Sequence, residues 1–446
     1  MPKNSRNICV IGTGPNSLVA TKMLLANNFR VTVIDPSDDK IQGSELRRKF
    51  ILKKRKNDES LFTFGTPLSN ASKSQLFPIE TRSFGGLTNL WGGVFFPPYL
   101  EYYEDKHRLT MEDFNELLEL CRPGLKINET DAQKWNENLA HDASKEMEVL
   151  KLEPQLALNE DGKLWRAADS WQFVRSKNLR ILKGVALSIL RKDTCCGVKV
   201  RINSTSSKEF YFDHVFLGCG PIGNAKLILN SGLGFDEAIL PDSGVSYHLT
   251  WRKNKVDRMP IIMQPDRCGF VLKGKIPHYY FQHYPFSVEM IESLRFSPVR
   301  FLAHAFSLIL RNRIGLLMVF RNDLDSRSVK IGFKKGEMYI SELGASKTRG
   351  NKHAIIIEKR RLRNEGIRLL PIWFNGKAGE GVHSAGPVNY LKNGESYDLA
   401  SNTNLNKNVH FLGMSATNKV FAGPVTYLSM TLSKKLVEEF ILAQNN

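Results

Sequence analysis

The first forty residues switch sharply between apolar runs and polar breaks. Residues 8–11 are uniformly apolar and too short for a surface helix, so they read as a buried strand. The run Gly12-Thr13-Gly14-Pro15-Asn16-Ser17 interrupts it. Residues 18–27 resume as a helix, and 30–34 form a second apolar strand closed by Asp35. Further on, 111–121 has the spacing of an amphipathic helix. Residues 179–231 are strand-rich: short strands are expected at 180–183, 186–190, 197–202 and 207–212. A buried run at 213–220 then ends in glycines, and a helix follows over 221–231. That order predicts a small antiparallel insertion returning to a parallel sheet. Residues 246–345 alternate short strands with loops, as an antiparallel sheet does. A basic helix is expected over 353–364, a strand at 410–413, and a last helix from about Pro424.

The first break carries chemistry. Gly12 permits a tight turn, Gly14 lets backbone approach a pyrophosphate, and Ser17 is small enough for close helix–strand packing. The N–H groups opening the following helix would face phosphates. Asp35 lies about 20 residues beyond the glycines, where an acid accepts ribose hydroxyls. The glycine spacing alone also fits an α/β turn with no ligand; the full order of strand, turn, helix, strand and acid favours a dinucleotide. A second glycine cluster, Ser83-Phe84-Gly85-Gly86-Leu87-Thr88-Asn89-Leu90-Trp91-Gly92-Gly93, implies backbone packed against something flat or bulky.

Composition narrows the partners. A chain of 446 residues buries a sizeable core and suggests two or three domains. The net charge of +18 points to acidic partners, such as a phosphate-bearing small molecule or an anionic surface. The basic clusters at 47–56 and 359–363 lack interleaved aromatics and read as solvated helix faces, so no nucleic acid is expected. Residues 298–311 are apolar at helical spacing, with arginines around them; they suit a helix packed on the sheet or one lying on a membrane surface. Residues 37–78 read as an insertion or lid. No stretch of 18 apolar residues occurs, and the N-terminus runs straight into the first strand, which leaves no room for a signal peptide. The six cysteines make no C-x-x-C pair, so no metal site is expected. Cys9 and Cys219 read as small residues of buried strands. A cytoplasmic location is the expectation, with peripheral membrane contact left open.

Four separated motifs together resemble the glucose–methanol–choline (GMC) oxidoreductases, nearest the branch of pyranose oxidases and sugar dehydrogenases. The residues Gly12 to Ser17 with Asp35 resemble the family's FAD-binding β-α-β unit. The stretch Gly85-Gly86-Leu87-Thr88-Asn89-Leu90-Trp91-Gly92-Gly93 is similar to the loop lying along the flavin. Residues 215–231, with Gly220, resemble the strand and helix that return beneath the cofactor. His383-Ser384-Ala385-Gly386 with 408–440 resembles the segment carrying the active-site histidine and the flavin-ring contact. Intervening residues 246–375 match no motif.

The resemblance implies an α/β fold: a three-layer, Rossmann-like FAD-binding domain with a parallel sheet, and an antiparallel-sheet substrate domain. The first would combine 1–100, 165–245 and 383–446; the second would be 246–382 with part of 101–164. It implies an FAD-dependent enzyme oxidising an alcohol, a sugar or sugar-conjugate hydroxyl. His383 would be the base, and Gly12, Gly14, Pro15, Asn16, Ser17, Asp35, Gly85, Gly86, Thr88, Asn89, Trp91, Gly92, Gly93, Gly220, Ser415, Gly423, Pro424 and Val425 would hold the cofactor. Thr88 and Asn89 would reach the reactive edge of the ring. Leu90 replaces the histidine that some members join to FAD, so non-covalent FAD is expected. Gly423 stands where the family has a second acid/base residue before the proline. That departure favours the alternative of a non-catalytic flavoprotein or partner-binding subunit; another flavoenzyme on the same cofactor fold, of mutase or desaturase type, also stays open.

Overall fold

The computed structural model describes residues 6–37, 83–89, 91–95, 109–127, 148–152, 156–192, 195–254, 265–273, 276–286, 313–322, 327–334, 337–344, 351–376, 383–386, 389–392, 395–397, 407–417, 419–420 and 422–445. The basic cluster at 47–56, nearly all of the expected lid, the apolar stretch at 298–311 and Leu90 fall outside them.

A five-stranded parallel sheet is the organising element. Its spatial order is Val409–Phe411, His214–Leu217, Asn7–Ile11, Arg30–Asp35 and Leu179–Lys183. The central strands are mostly apolar because both faces are covered, with polar residues mainly at their ends. On one face, Ile8 and Val10 pack with the helices Pro15–Ala26, Met111–Cys121 and Thr426–Asn445. On the other, Cys9 and Ile11 pack with the helix Gly220–Leu229 and the antiparallel meander Val185–Arg191, Cys196–Arg201, Ser207–Phe212. This is the three-layer arrangement expected, with the inserted meander in its expected place. Cys9 is a buried strand residue, as expected. Cys219 is not: the strand ends at Leu217, and Cys219 is the half-buried residue that begins the next helix.

Local chemistry sets the helix ends. Pro15 occupies the first helical turn, where its missing N–H is no loss. The helix Met111–Cys121 starts with a reciprocal cap, Thr110 with Asp113. The last helix is fastened to it by Tyr427 Oη donating to Phe114 O at 2.9 Å, and by Lys434, which meets Glu116 and Glu438.

Two larger antiparallel sheets stand beside this unit among the described residues, besides the short pair Lys126–Ile127 and Ala157–Leu158. One orders Glu337–Leu343, Ser328–Lys334, Glu237–Pro241, Asn389–Lys392 and Glu395–Tyr397. The other has six strands: Ile367–Asn375, Val245–Arg252, Ile314–Arg321, Ile276–Pro285, Arg267–Lys273 and Glu148–Leu152. One face of the larger sheet buries Tyr279, Phe281, Leu317 and Val319 with Leu362 of the helix Asn351–Asn364. The opposite face presents Val245, Tyr280 and Phe320 to the same core that holds Ile8 and Leu18. The antiparallel sheet and the parallel-sheet unit therefore share one core, and the candidate site lies along that seam.

Candidate active site

The glycine turn is shaped by contacts that admit no side chain. Gly12 has φ +99°, and an added Cβ would lie 2.9 Å from Gly218 O. At Gly218 a Cβ would overlap Ser17 Oγ, so the strand end and the first helix approach only because one residue is glycine and the other serine. Gly14 caps the helix Pro15–Ala26 without a side-chain hydrogen bond, and the first turn holds no acid. A Cβ added at Gly14 would meet Gly218 O at 3.9 Å, an ordinary contact, so nothing crowds the turn there. First-turn amides with no side-chain cap and no acid beside them suit an anion. Asn16 Oδ1 and Ser17 Oγ are buried here with no partner.

Asp35 is buried at the end of its strand. It accepts from Thr13 Oγ1 at 2.7 Å, from Ser37 N at 2.9 Å and from the Ser37 hydroxyl. Burial raises its carboxyl above the ordinary range, and these donors oppose that rise. Thr13 ties the turn to the second glycine cluster: its Oγ1 accepts from Gly85 N at 3.0 Å, and its carbonyl accepts from Trp171 Nε1 at 2.8 Å. A Cβ on Gly86 would lie 3.1 Å from Gly14 Cα, so the two glycine segments lie backbone against backbone. The polar side chains of the cluster hold the loop. Thr88 Oγ1 donates to Gly85 O and accepts from Ala167 N, while Asn89 Nδ2 donates to Ser83 Oγ and Phe84 O. Only Asn89 Oδ1 stays buried and unpartnered. Trp91 Nε1 donates to Trp165 O at 2.9 Å, and Gly93 gives way to Leu164.

The C-terminal segment reaches the same place. Asn16 Nδ2 donates to Ser429 Oγ at 2.9 Å, and that oxygen accepts from Met414 N at 3.0 Å. Gly413, at φ +59°, leaves room for both Asn16 and Ser429. Ser415 Oγ accepts from Asn224 Nδ2 at 2.8 Å. Gly423, Pro424 and Val425 are buried directly before the last helix. Gly220 begins its helix at φ +75° with open space above it.

His383 sits against this turn. Gly386 N donates to both Met414 O and Thr417 O, and Ser243 N donates to His383 O at 2.9 Å. Ser384 Oγ donates to Asp242 Oδ1 at 2.9 Å. The imidazole stacks on Phe320 with ring centroids 5.0 Å apart, and its Nδ1 is buried with no partner. Burial pulls its pKa down to about 4, which leaves a neutral ring at physiological pH. The glycine turn and His383 are therefore joined through Asn16, Ser429 and the turn Gly413–Ala416.

Three residues at the seam carry no motif. Tyr284 Oη donates to Gln282 Oε1 at 2.5 Å, and Gln282 Nε2 donates to Tyr280 Oη at 2.9 Å. This row starts beside Gly92, where an added Cβ would lie 3.2 Å from the Tyr284 hydroxyl. It ends at Tyr280, whose ring lies 5.9 Å from that of Phe320, under His383. The aromatic density of 279–284 is the only signal of it in the sequence.

No family model matches the chain, and no curated protein matches it. Among solved structures, pyridoxine 4-oxidase from Mesorbium loti aligns over 98% of this chain and 99% of its own, with a TM-score of 0.64 and 15% sequence identity. That likeness carries the fold alone: a parallel-sheet, Rossmann-like unit joined to antiparallel sheets, shared with that structure over nearly its whole length.

Proposed function

We propose that this chain is an FAD-dependent oxidoreductase that oxidises an alcohol, with a sugar or sugar-conjugate hydroxyl as the substrate class. One observation carries the reading. The segment of His383, whose neutral imidazole has a buried Nδ1 without a partner, is bonded through Gly386 to the turn that meets the nucleotide loop at Asn16 and Ser429. The cradle fits FAD: the uncapped helix behind Gly14 suits the pyrophosphate, Asp35 the ribose, and the orphaned oxygens of Asn16, Ser17 and Asn89 are acceptors or donors in want of a partner.

FAD supplies the hydride acceptor that no amino-acid side chain provides. The chain's own work is to hold it and to move the proton. His383 takes the substrate's hydroxyl proton, for which a neutral ring is required. Phe320 fixes the plane of that ring, and the Gly386 and Ser243 hydrogen bonds fix its backbone. Position 90 is leucine, which has no nucleophile, so the flavin is held without a covalent bond. Net charge +18 suits a substrate with an anionic handle. The matched structure is that of an oxidase, in keeping with this class of reaction.

Purified protein should be yellow and should release its chromophore into the supernatant on acid precipitation. Flavin that stays with the pellet contradicts the non-covalent reading, and a colourless chain that takes up no FAD contradicts the whole. Gly423 favours a second reading, a flavoprotein that has lost catalysis, because the usual partner of the histidine has no side chain there. Anaerobic bleaching across a panel of sugars and alcohols separates the two: no bleaching by any member supports the second.

A further inference from the structure

The strand Ile367–Asn375 forms an edge of the six-stranded sheet and ends in an exposed apolar tip. Ile372, Trp373 and Phe374 are 53%, 57% and 55% exposed, unusual for three consecutive large apolar residues. The two rings lie on opposite faces of the sheet. Trp373 stacks on His248 and Phe374 on Tyr247, at 6.1 and 4.9 Å between centroids.

The tip is built against strand addition. Between the pairs His248 with Trp373 and Thr250 with Leu369, a single residue, Leu249, faces Leu370, Pro371 and Ile372. Such a bulge breaks the flat edge, and Pro371 has no N–H to donate. A second copy of the chain, itself at +18, would also meet like charge.

Among the described residues, exposed charge on this strand and the helix before it is one-sided. The helix Asn351–Asn364 precedes the strand through a short turn and packs on its sheet. Ile356, 48% exposed, shares a helical stripe with the exposed Lys359, Arg360 and Arg363. Arg368 is exposed on the strand itself. The acids of this unit are spent internally: Glu358 is buried against Arg361, and Glu365 meets Arg361 and Arg267. Apolar and aromatic residues at an exposed strand end, with exposed cations on the same strand and on the helix before it, match the two terms that hold a protein to an anionic interface. No described helix is long and apolar enough to cross a membrane, so the contact is with the surface.

We infer that the Ile372-Trp373-Phe374 tip and the Lys359, Arg360, Arg363, Arg368 cations dock on an anionic lipid bilayer. The inference uses no feature of the cofactor site and stands or falls separately from the proposed reaction. The test is vesicle flotation of the full chain, as purified, with equal parts phosphatidylglycerol and phosphatidylcholine, and with phosphatidylcholine alone. Binding is expected to the anionic vesicles only and to fall in about 0.5 M salt. Trp373→Ser with Phe374→Ser, and separately Arg360→Glu with Arg363→Glu, should each weaken it tenfold or more at an unchanged melting temperature. No binding, equal binding to both vesicles, or binding that the charge-reversed variant retains overturns the inference. So does a dimer in sedimentation equilibrium that the aromatic substitutions dissociate, because the tip would then serve a second copy.

Discussion

Single residues decide the nucleotide cradle through space and hydrogen bonds. Asp35 is the clearest case: its carboxylate organises Thr13 and Ser37, and through Thr13 the second glycine cluster. Asp35→Ala removes a charge-assisted acceptor, and FAD binding should weaken by about 1.5–3 kcal/mol, measured by titrating FAD into the apoprotein. Gly218→Val tests packing instead. Its Cβ would run into Ser17 Oγ and lies 3.0 Å from Ile11 O, and both neighbours belong to the rigid core of the unit. Overpacking of this kind costs about 1–3 kcal/mol, so the melting temperature should drop by several degrees even without ligand. Both positions were readable in advance for different reasons. Asp35 stands at the expected distance from the glycines. Gly218 ends an apolar run, although its contact with Ser17 is a fact of three dimensions only.

At the scale of elements, two half-buried histidines make stability depend on pH. On the adjacent strands His214–Leu217 and Val409–Phe411, His214 Nδ1 and His410 Nε2 meet at 3.2 Å, with Phe216 and Phe440 packed around them. Burial, the larger cause for both, lowers His214 to about 4 and His410 to about 3. A histidine held below its unfolded value near 6.5 binds fewer protons when folded. Its contribution is therefore complete above pH 6.5 and is lost as pH falls toward 4 and 3. Thermal melts from pH 8 to 4 should show a steady loss of stability below 6.5, and His214→Leu with His410→Leu should flatten it. An unchanged acid limb in that variant would assign the loss elsewhere. The inner parallel-sheet strands were legible because burial on both faces keeps their runs largely apolar. The larger antiparallel sheet hid its site-facing residues for the opposite reason. Tyr279 and Phe281 are buried on the helix side and Tyr280 on the other, so 279–281 show no alternation to say which face is which.

Over the whole molecule, segments from both ends and the middle of the chain meet at one seam, and the C-terminal turn Gly413–Ala416 joins them. The glycine motifs and the histidine segment pointed to this convergence from the sequence. The Tyr284–Gln282–Tyr280 row and the exposed tip at Ile372 did not, because each depends on pairing register between distant strands. The proposed reaction makes the whole assembly answerable to one imidazole. Its pKa of about 4 predicts that flavin reduction by substrate is flat from about pH 5.5 to 8 and declines only at lower pH. The most direct test is anaerobic stopped-flow reduction of the bound flavin, using the alcohol or sugar that bleaches the wild-type protein, in wild type and His383→Ala. The account predicts that the variant binds FAD with an unchanged melting temperature and is reduced about 10²-fold or more slowly, the usual weight of a positioned base. Reduction of His383→Ala at the wild-type rate would contradict it.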